Sequence, residues 1–307
     1  MTPADTILKK KSNVSMWCQL TLVLVVACWG GSFVSTRVLL NNGLTAVETY
    51  VYRFALAYIL LLIIDHKRIF ARNWRDEMWF MVCGLCGGSI YFIAENTALN
   101  YTLTTNVSLI TTTSPLFTAL FVGLLYRSDR PTWGMVLGSI VAFLGVGMVI
   151  FNSSFVVKLN PLGDMLALSA AISFGIYSVA MRRLNAFYSS IFITRKTFFY
   201  GVLTAIPFMF FEPELVNPIV LLRPAVWGNL LFLGVFCSVI AYVVWAWSIK
   251  ELGTIRANNF LYFQPVWTLI FSALILKEVI TVIGVSGCTL ILLGVWLSDY
   301  LGRKSKR

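Results

Sequence analysis

Residues 84–125 read GLCGGSIYFIAENTALNYTLTTNVSLITTTSPLFTALFVGLL, two apolar runs joined by a short Asn/Thr connection, with Pro115 inside the second run. A loose echo runs from Gly234 to Ile275. Gly84, Ile90, Pro115, Thr118, Phe121 and Leu124 match Gly234, Ile240, Pro265, Thr268, Phe271 and Leu274 at a constant offset. Six identities are few in so apolar a chain. The order of the runs and the placement of both prolines carry more weight, and they point to a polytopic membrane protein with two similar halves.

The composition agrees. The chain is 58% hydrophobic and 12% charged, with a mean hydropathy of +0.81, whereas soluble domains carry about 25% charged residues. A helix crosses a hydrocarbon core with roughly 20 residues, and this chain offers that length repeatedly. The apolar runs are continuous rather than alternating, so the spans are helices and not barrel strands. The net charge of +11 is spread in short clusters between apolar runs, which leaves no basic domain for nucleic acid. All six cysteines lie in or beside apolar runs, and Cys83 and Cys86 read as small buried thiols rather than a redox or metal pair.

Polar residues 1–15 precede a first span at Trp17–Leu40, which is too long for a signal-peptide core. Nine more spans follow at 48–64, 78–99, 105–126, 132–151, 163–183, 191–211, 227–249, 256–276 and 280–299. With the N-terminus in the cytoplasm, 19 Lys and Arg fall inside and three (Lys158, Arg223, Lys277) outside, while Arg37 and Arg53 lie within spans. That bias places both termini in the cytoplasm. The fold class is therefore an all-α integral membrane protein, with ten transmembrane helices as two inverted five-helix repeats, 1–151 and 152–307. Five spans per half is an odd number, so the second half runs inverted and a binding site is expected near the midplane.

Taken in order, several short stretches resemble the drug/metabolite transporter superfamily, in its EamA-type ten-span branch. They are Trp29-Gly30-Gly31-Ser32-Phe33, Arg53-Phe54, Ala98-Leu99, Ser114-Pro115, Gly163-Asp164, Ala241-Tyr242, Pro265-Val266 and Lys277-Glu278. The resemblance spans nearly the whole chain. There are two departures: Ser128-Asp129-Arg130 stands where the first half should have Gly-Glu, and Asn41–Val47 lacks the usual proline. The resemblance implies a secondary carrier of small metabolites, with export of amino acids or similar amphipathic compounds as the expectation.

Charge inside a membrane is costly, about 2.5–3.5 kcal/mol at a helix centre on insertion scales. Glu95 is the only acid well inside a span, roughly 25 Å along from Met78 at 1.5 Å per residue. It is expected either to pair with Arg53 or Arg37 or to meet a substrate ammonium or a coupling proton. Gly84, Gly88, Tyr91 and Glu95 fall at helical steps that place them on one face. Trp29, Tyr91, Tyr177 and Trp245 are the aromatic candidates for stacking on substrate. Pro115 and Pro265 break the fourth and ninth spans, which carry Asn106, Thr113, Asn259 and Tyr262 among their polar residues. Those polar groups either satisfy the carbonyls that proline frees or bind a polar substrate.

The one histidine, His66, lies in a loop, so no intramembrane metal site is expected, and no glycine loop suits ATP. No cofactor is expected. The partners expected are a small-molecule substrate and the lipid bilayer; a monomer is compatible with the chain, and so is an oligomer. A bacterial inner (cytoplasmic) membrane fits the short loops. An integral membrane enzyme is the alternative, disfavoured by the lack of clustered catalytic groups. So is a channel or scaffold, which lacks a continuous polar stripe.

Overall fold

The computed structural model describes residues 3–101, 107, 110–126, 130–150, 160–212, 215–275 and 281–304. It is 87% helix, with no strand among the described residues. The first-half helices are α1 (Pro3–Asn41), α2 (Ala46–Ile64), α3 (Trp74–Tyr101), α4 (Ser114–Leu125) and α5 (Trp133–Ile150). Then come α6 (Pro161–Leu184), α7 (Ser190–Met209), α8 (Pro224–Leu252), α9 (Thr254–Asn259), α10 (Gln264–Ile275) and α11 (Val282–Lys304).

Six of them, α1, α2, α3, α6, α8 and α11, hold a stretch long and apolar enough to cross a membrane. This is a multi-pass membrane protein. Of the other four expected spans, α4 and α5 are apolar but shorter, and α4 is preceded by residues outside the described set. The seventh, α7, buries Arg195 and Lys196 within its first two turns. A 3-10 turn at Phe260–Phe263 divides the ninth into α9 and α10.

The helix starts follow from local chemistry. Thr45 caps α2 in a reciprocal box: its hydroxyl accepts from Glu48 N at 3.1 Å, and Glu48 Oε2 accepts from Thr45 N at 2.9 Å. Asn73, Asn160 and Ser189 cap α3, α6 and α7 in the same sense. Gly253, at φ 86°, turns the chain between α8 and α9, where a residue with a side chain would be strained.

Two helices contain a π segment, Leu85–Ser89 in α3 and Phe232–Ile240 in α8. Their wider turns leave carbonyls for side chains to claim, and the donors cross between the halves of the chain. Ser173 Oγ donates to Cys86 O at 2.8 Å and Tyr242 OH to Gly87 O at 3.1 Å. In return Trp29 Nε1 donates to Cys237 O at 2.9 Å and Arg53 Nη2 to the same oxygen at 3.3 Å. Each half thus fills the backbone gap of the other.

The packing fixes relative direction. On α3 and α7, Glu77 meets Lys196, Gly84 meets Tyr200 and Ser89 meets Thr204, so the two run the same way. The α3–α6 pair is antiparallel, with Trp79 against Arg183 and Cys86 against Ser173. So is the α5–α11 pair, with Gly134 against Leu301 and Gly145 against Gly287. A Cβ added at Gly145 would stand 2.6 Å from Gly287 O, so these two helices touch backbone to backbone, as small residues permit in a bilayer.

Candidate functional site

One pocket is lined by seven helices and the turn before α10. α1 supplies Trp29, Ser32 and Phe33, α2 supplies Arg53, and α3 supplies Tyr91, Phe92 and Glu95. Ser114 opens α4, and Thr111 and Thr112 line the pocket from just before it. The other half contributes Phe174 from α6, Tyr242 from α8, Leu261 from the 3-10 turn and Gln264 from α10. Only about 40 Å³ is open to the centre of a water-sized sphere, where one water takes about 10–15 Å³ on that measure. That is room for a few waters in this conformation, and an amino acid enters only if the pocket widens. Larger cavities exist elsewhere, but this one draws its lining from both halves of the chain and sets buried Glu95 and Arg53 against aromatic rings.

Glu95 is 6% exposed and accepts from Tyr91 OH at 2.9 Å. Arg53 is 3% exposed. Its Nε donates to Ser238 Oγ at 2.7 Å, and its guanidinium stands 4.9 Å from the ring centroids of both Phe54 and Phe92. No direct ion pair joins Glu95 to Arg53, because Ser238 and the π-segment carbonyl draw the guanidinium toward α8. Arg53 uses two of its five donors there. Arg37 does not reach Glu95 either; it lies on an exposed part of α1 and does not line the pocket.

Four of the residues singled out from the sequence come together here: Trp29, Arg53, Tyr91 and Glu95. Tyr177 and Trp245 are fully buried one layer behind. Trp245 packs on Trp29 at 5.2 Å and on Phe174 at 5.8 Å, and Tyr177 on Phe174 at 5.3 Å. Asn259 and Tyr262 point elsewhere. Asn259 Nδ2 donates to Ser298 Oγ at 2.6 Å and its Oδ1 accepts from Ser139 Oγ, while Tyr262 is buried in the core between α5 and α11. Thr113 is half-buried and donates to Ile110 O, while its neighbours on either side line the pocket. Asn106, like Asp129, Lys277 and Glu278, lies outside the described residues.

The expected common face on α3 also divides. Gly84 and Gly88 sit against α7 and Tyr50, whereas Tyr91 and Glu95 face the pocket. The π segment Leu85–Ser89, which includes Gly88, adds residues to a turn and rotates the later ones away.

Both prolines stand at the start of a helix. Pro115 is in the first turn of α4, and the carbonyl it frees, Thr111 O, accepts from Ser114 Oγ at 2.5 Å. Pro265 is the second residue of α10, and Leu261 O is taken by the backbone N–H of Gln264 in the 3-10 turn. These carbonyls are occupied, so the polar groups offered to the pocket are side chains: Thr111, Thr112, Ser114 and Gln264. Sequence reasoning missed Phe174, since a lone Phe in an apolar helix carries no local signal. Tyr242 and the pocket hydroxyls were legible as polar groups inside spans.

The family model described as the EamA-like transporter family matches residues 16–151 and again 161–298. An uncharacterized transporter of Archaeoglobus fulgidus is 28% identical over 91% of this chain and 97% of its own length. An uncharacterized transporter of Bacillus subtilis is 30% identical over 80% and 81%. A protein of Streptantibioticus cattleyicolor named "Probable terminal-alkyne amino-acid exporter" is 25% identical over 96% and 97%. One crystal structure superimposes with a TM-score of 0.75 over 96% of this chain and 99% of its own, at 19% identity, a likeness of fold alone.

Proposed function

The chain belongs to the EamA-like transporter family, and from that premise we propose that it is a secondary transporter exporting amino acids or similar amphipathic compounds across the cytoplasmic membrane. The observation that carries this reading is the presence of Arg53 and Glu95, unpaired with each other, in one aromatic pocket. The guanidinium meets the substrate carboxylate, the Glu95 carboxylate meets its ammonium, and Trp29, Tyr91 and Phe174 take the apolar part. The relative named as an amino-acid exporter supports this substrate class.

The mechanism is alternating access of two inverted five-helix repeats, residues 1–151 and 152–307, with both termini cytoplasmic. The helix packing supports it. α1 lies against α8 and α10 as α6 lies against α3 and α4, and α5 pairs with α11. Exchanging the halves carries each contact onto its counterpart, and the two π segments exchange as well. The shared direction of α3 and α7 is what an inverted second half requires of the third and seventh spans. Two buried polar atoms behind the pocket, Tyr177 OH and Trp245 Nε1, have no hydrogen-bond partner in this conformation; a wider pocket gives them one.

Uptake and counterflow of labelled amino acids in proteoliposomes test the reading, with and without a pH gradient. Saturable flux of a zwitterionic amino acid supports it. Flux of cations or anions alone, with no amino acid competing, overturns the substrate class.

A further inference from the structure

A second cavity of about 310 Å³ lies between α1, the end of α9 and α11. Its polar end holds Gln19, Arg256, Asn259 and Asp299, and Phe260, Phe263, Leu292 and Trp296 are among its apolar walls. Arg256 and Asp299 are ion-paired and remain 26% and 32% exposed, so both charges are within a ligand's reach. Trp296 stacks on Tyr300 at 5.2 Å, and both are more than half exposed, the usual state of aromatics at a membrane–water boundary. Exposed Leu20 and Leu24 of α1 and Leu292 and Leu293 of α11 continue the apolar surface along the bundle.

We propose that this cavity binds one phospholipid with a zwitterionic, primary-amine headgroup. The side-by-side charges set the choice. Arg256 takes the phosphate, Asp299 takes the ammonium, and the acyl chains follow the leucines between α1 and α11. An anionic headgroup gains from Arg256 and is repelled by Asp299. A quaternary amine lacks the N–H that a carboxylate accepts.

The site also adjoins the transport pocket. Within five consecutive residues, Phe260 and Phe263 face the lipid cavity while Leu261 and Gln264 face the central pocket. The 3-10 turn before Pro265 is their common wall, and a lipid seated on one side bears on the shape of the other.

The test uses the purified full chain in native mass spectrometry, with phosphatidylethanolamine, phosphatidylcholine and phosphatidylglycerol of matched acyl chains. The wild type should retain phosphatidylethanolamine over each of the others by about fivefold, the size of one partly exposed ion contact. Arg256→Gln and Asp299→Asn should each erase that preference. Quenching by brominated phosphatidylethanolamine, taken as wild type minus Trp296→Phe, should show a component that brominated phosphatidylcholine lacks, a measurement independent of whether the charge variants fold. Equal retention of all three lipids, a preference for phosphatidylglycerol, or displacement of the lipid by soluble phosphoethanolamine overturns the proposal. None of these readouts depends on transport.

Discussion

Lys196 Nζ lies 2.8 Å from Glu77 Oε2, and this buried ion pair ties α7 to α3, one half of the chain to the other. Glu77 also accepts from Tyr200 OH at 2.6 Å and from Ala71 N at 2.7 Å. Next to it Arg195 reaches Asp65 and the carbonyl of Arg68. On α3 this cluster stands 18 residues before Glu95, about 27 Å along a helix, so it closes the end of the bundle remote from that acid. Basic-residue counting sets Arg195 and Lys196 on the cytoplasmic side, at the start of the span 191–211; partners on α3 and on the link between α2 and α3 draw both into the helix packing.

Breaking this pair one-sidedly strands a buried charge. Lys196→Met or Glu77→Gln should lower stability by about 3–5 kcal/mol, the usual cost of orphaning a buried ion. The double variant should lose less than the sum, as the partners share one interaction. Denaturant unfolding of the purified protein, with thermal size-exclusion profiles alongside, checks both statements; full additivity would contradict the coupling.

At the pocket, Glu95→Gln should abolish amino-acid flux while the protein still elutes as a single folded species. Tyr91→Phe removes only the hydroxyl that Glu95 accepts, and a neutral-donor hydrogen bond contributes about 0.5–1.5 kcal/mol net. Flux should then fall by roughly two- to tenfold. If Glu95→Gln aggregates and Arg53→Gln does likewise, both charges are structural and the substrate assignment fails.

The glycine contact between α5 and α11 makes a matched pair of variants. Gly145→Ala drives a methyl into the Gly287 carbonyl and should cost about 1–3 kcal/mol. Gly147→Ala, two residues on, meets nothing within 4 Å and should be neutral or slightly stabilising. Thermal midpoints of the two proteins, read side by side, decide it.

Tyr188, in the short connection between α6 and α7, donates to Asp76 Oδ2 at 2.6 Å and accepts from Arg72 N at 2.9 Å. Burial, and then the Asp76 carboxylate, hold its hydroxyl above the usual phenol range. The folded state therefore favours the protonated form. The stability that Tyr188 adds over Tyr188→Phe should stay constant below about pH 10 and decline as the pH rises beyond it. A difference that shrinks between pH 6 and 8 would contradict the assignment.

The amino-acid pattern alone determined the helical class, the membrane setting and the breaks at Pro115 and Pro265. Each depends on local composition or on the geometry of a few neighbouring residues. Glu95, Arg53, Tyr91 and Trp29 were legible for a related reason: polar or bulky amphipathic groups inside an apolar run stand out without knowledge of the packing. The tertiary structure decided which aromatics face the pocket, that Arg53 turns to Ser238 rather than Glu95, and that Asn259 and Tyr262 serve the α5–α11 side. These depend on helix phase. A π segment in α3, another in α8 and a 3-10 turn before α10 each reset the 3.6-residue period, and carbonyls of the two π segments are completed by side chains more than 80 positions away. No count along the chain carries that phase across.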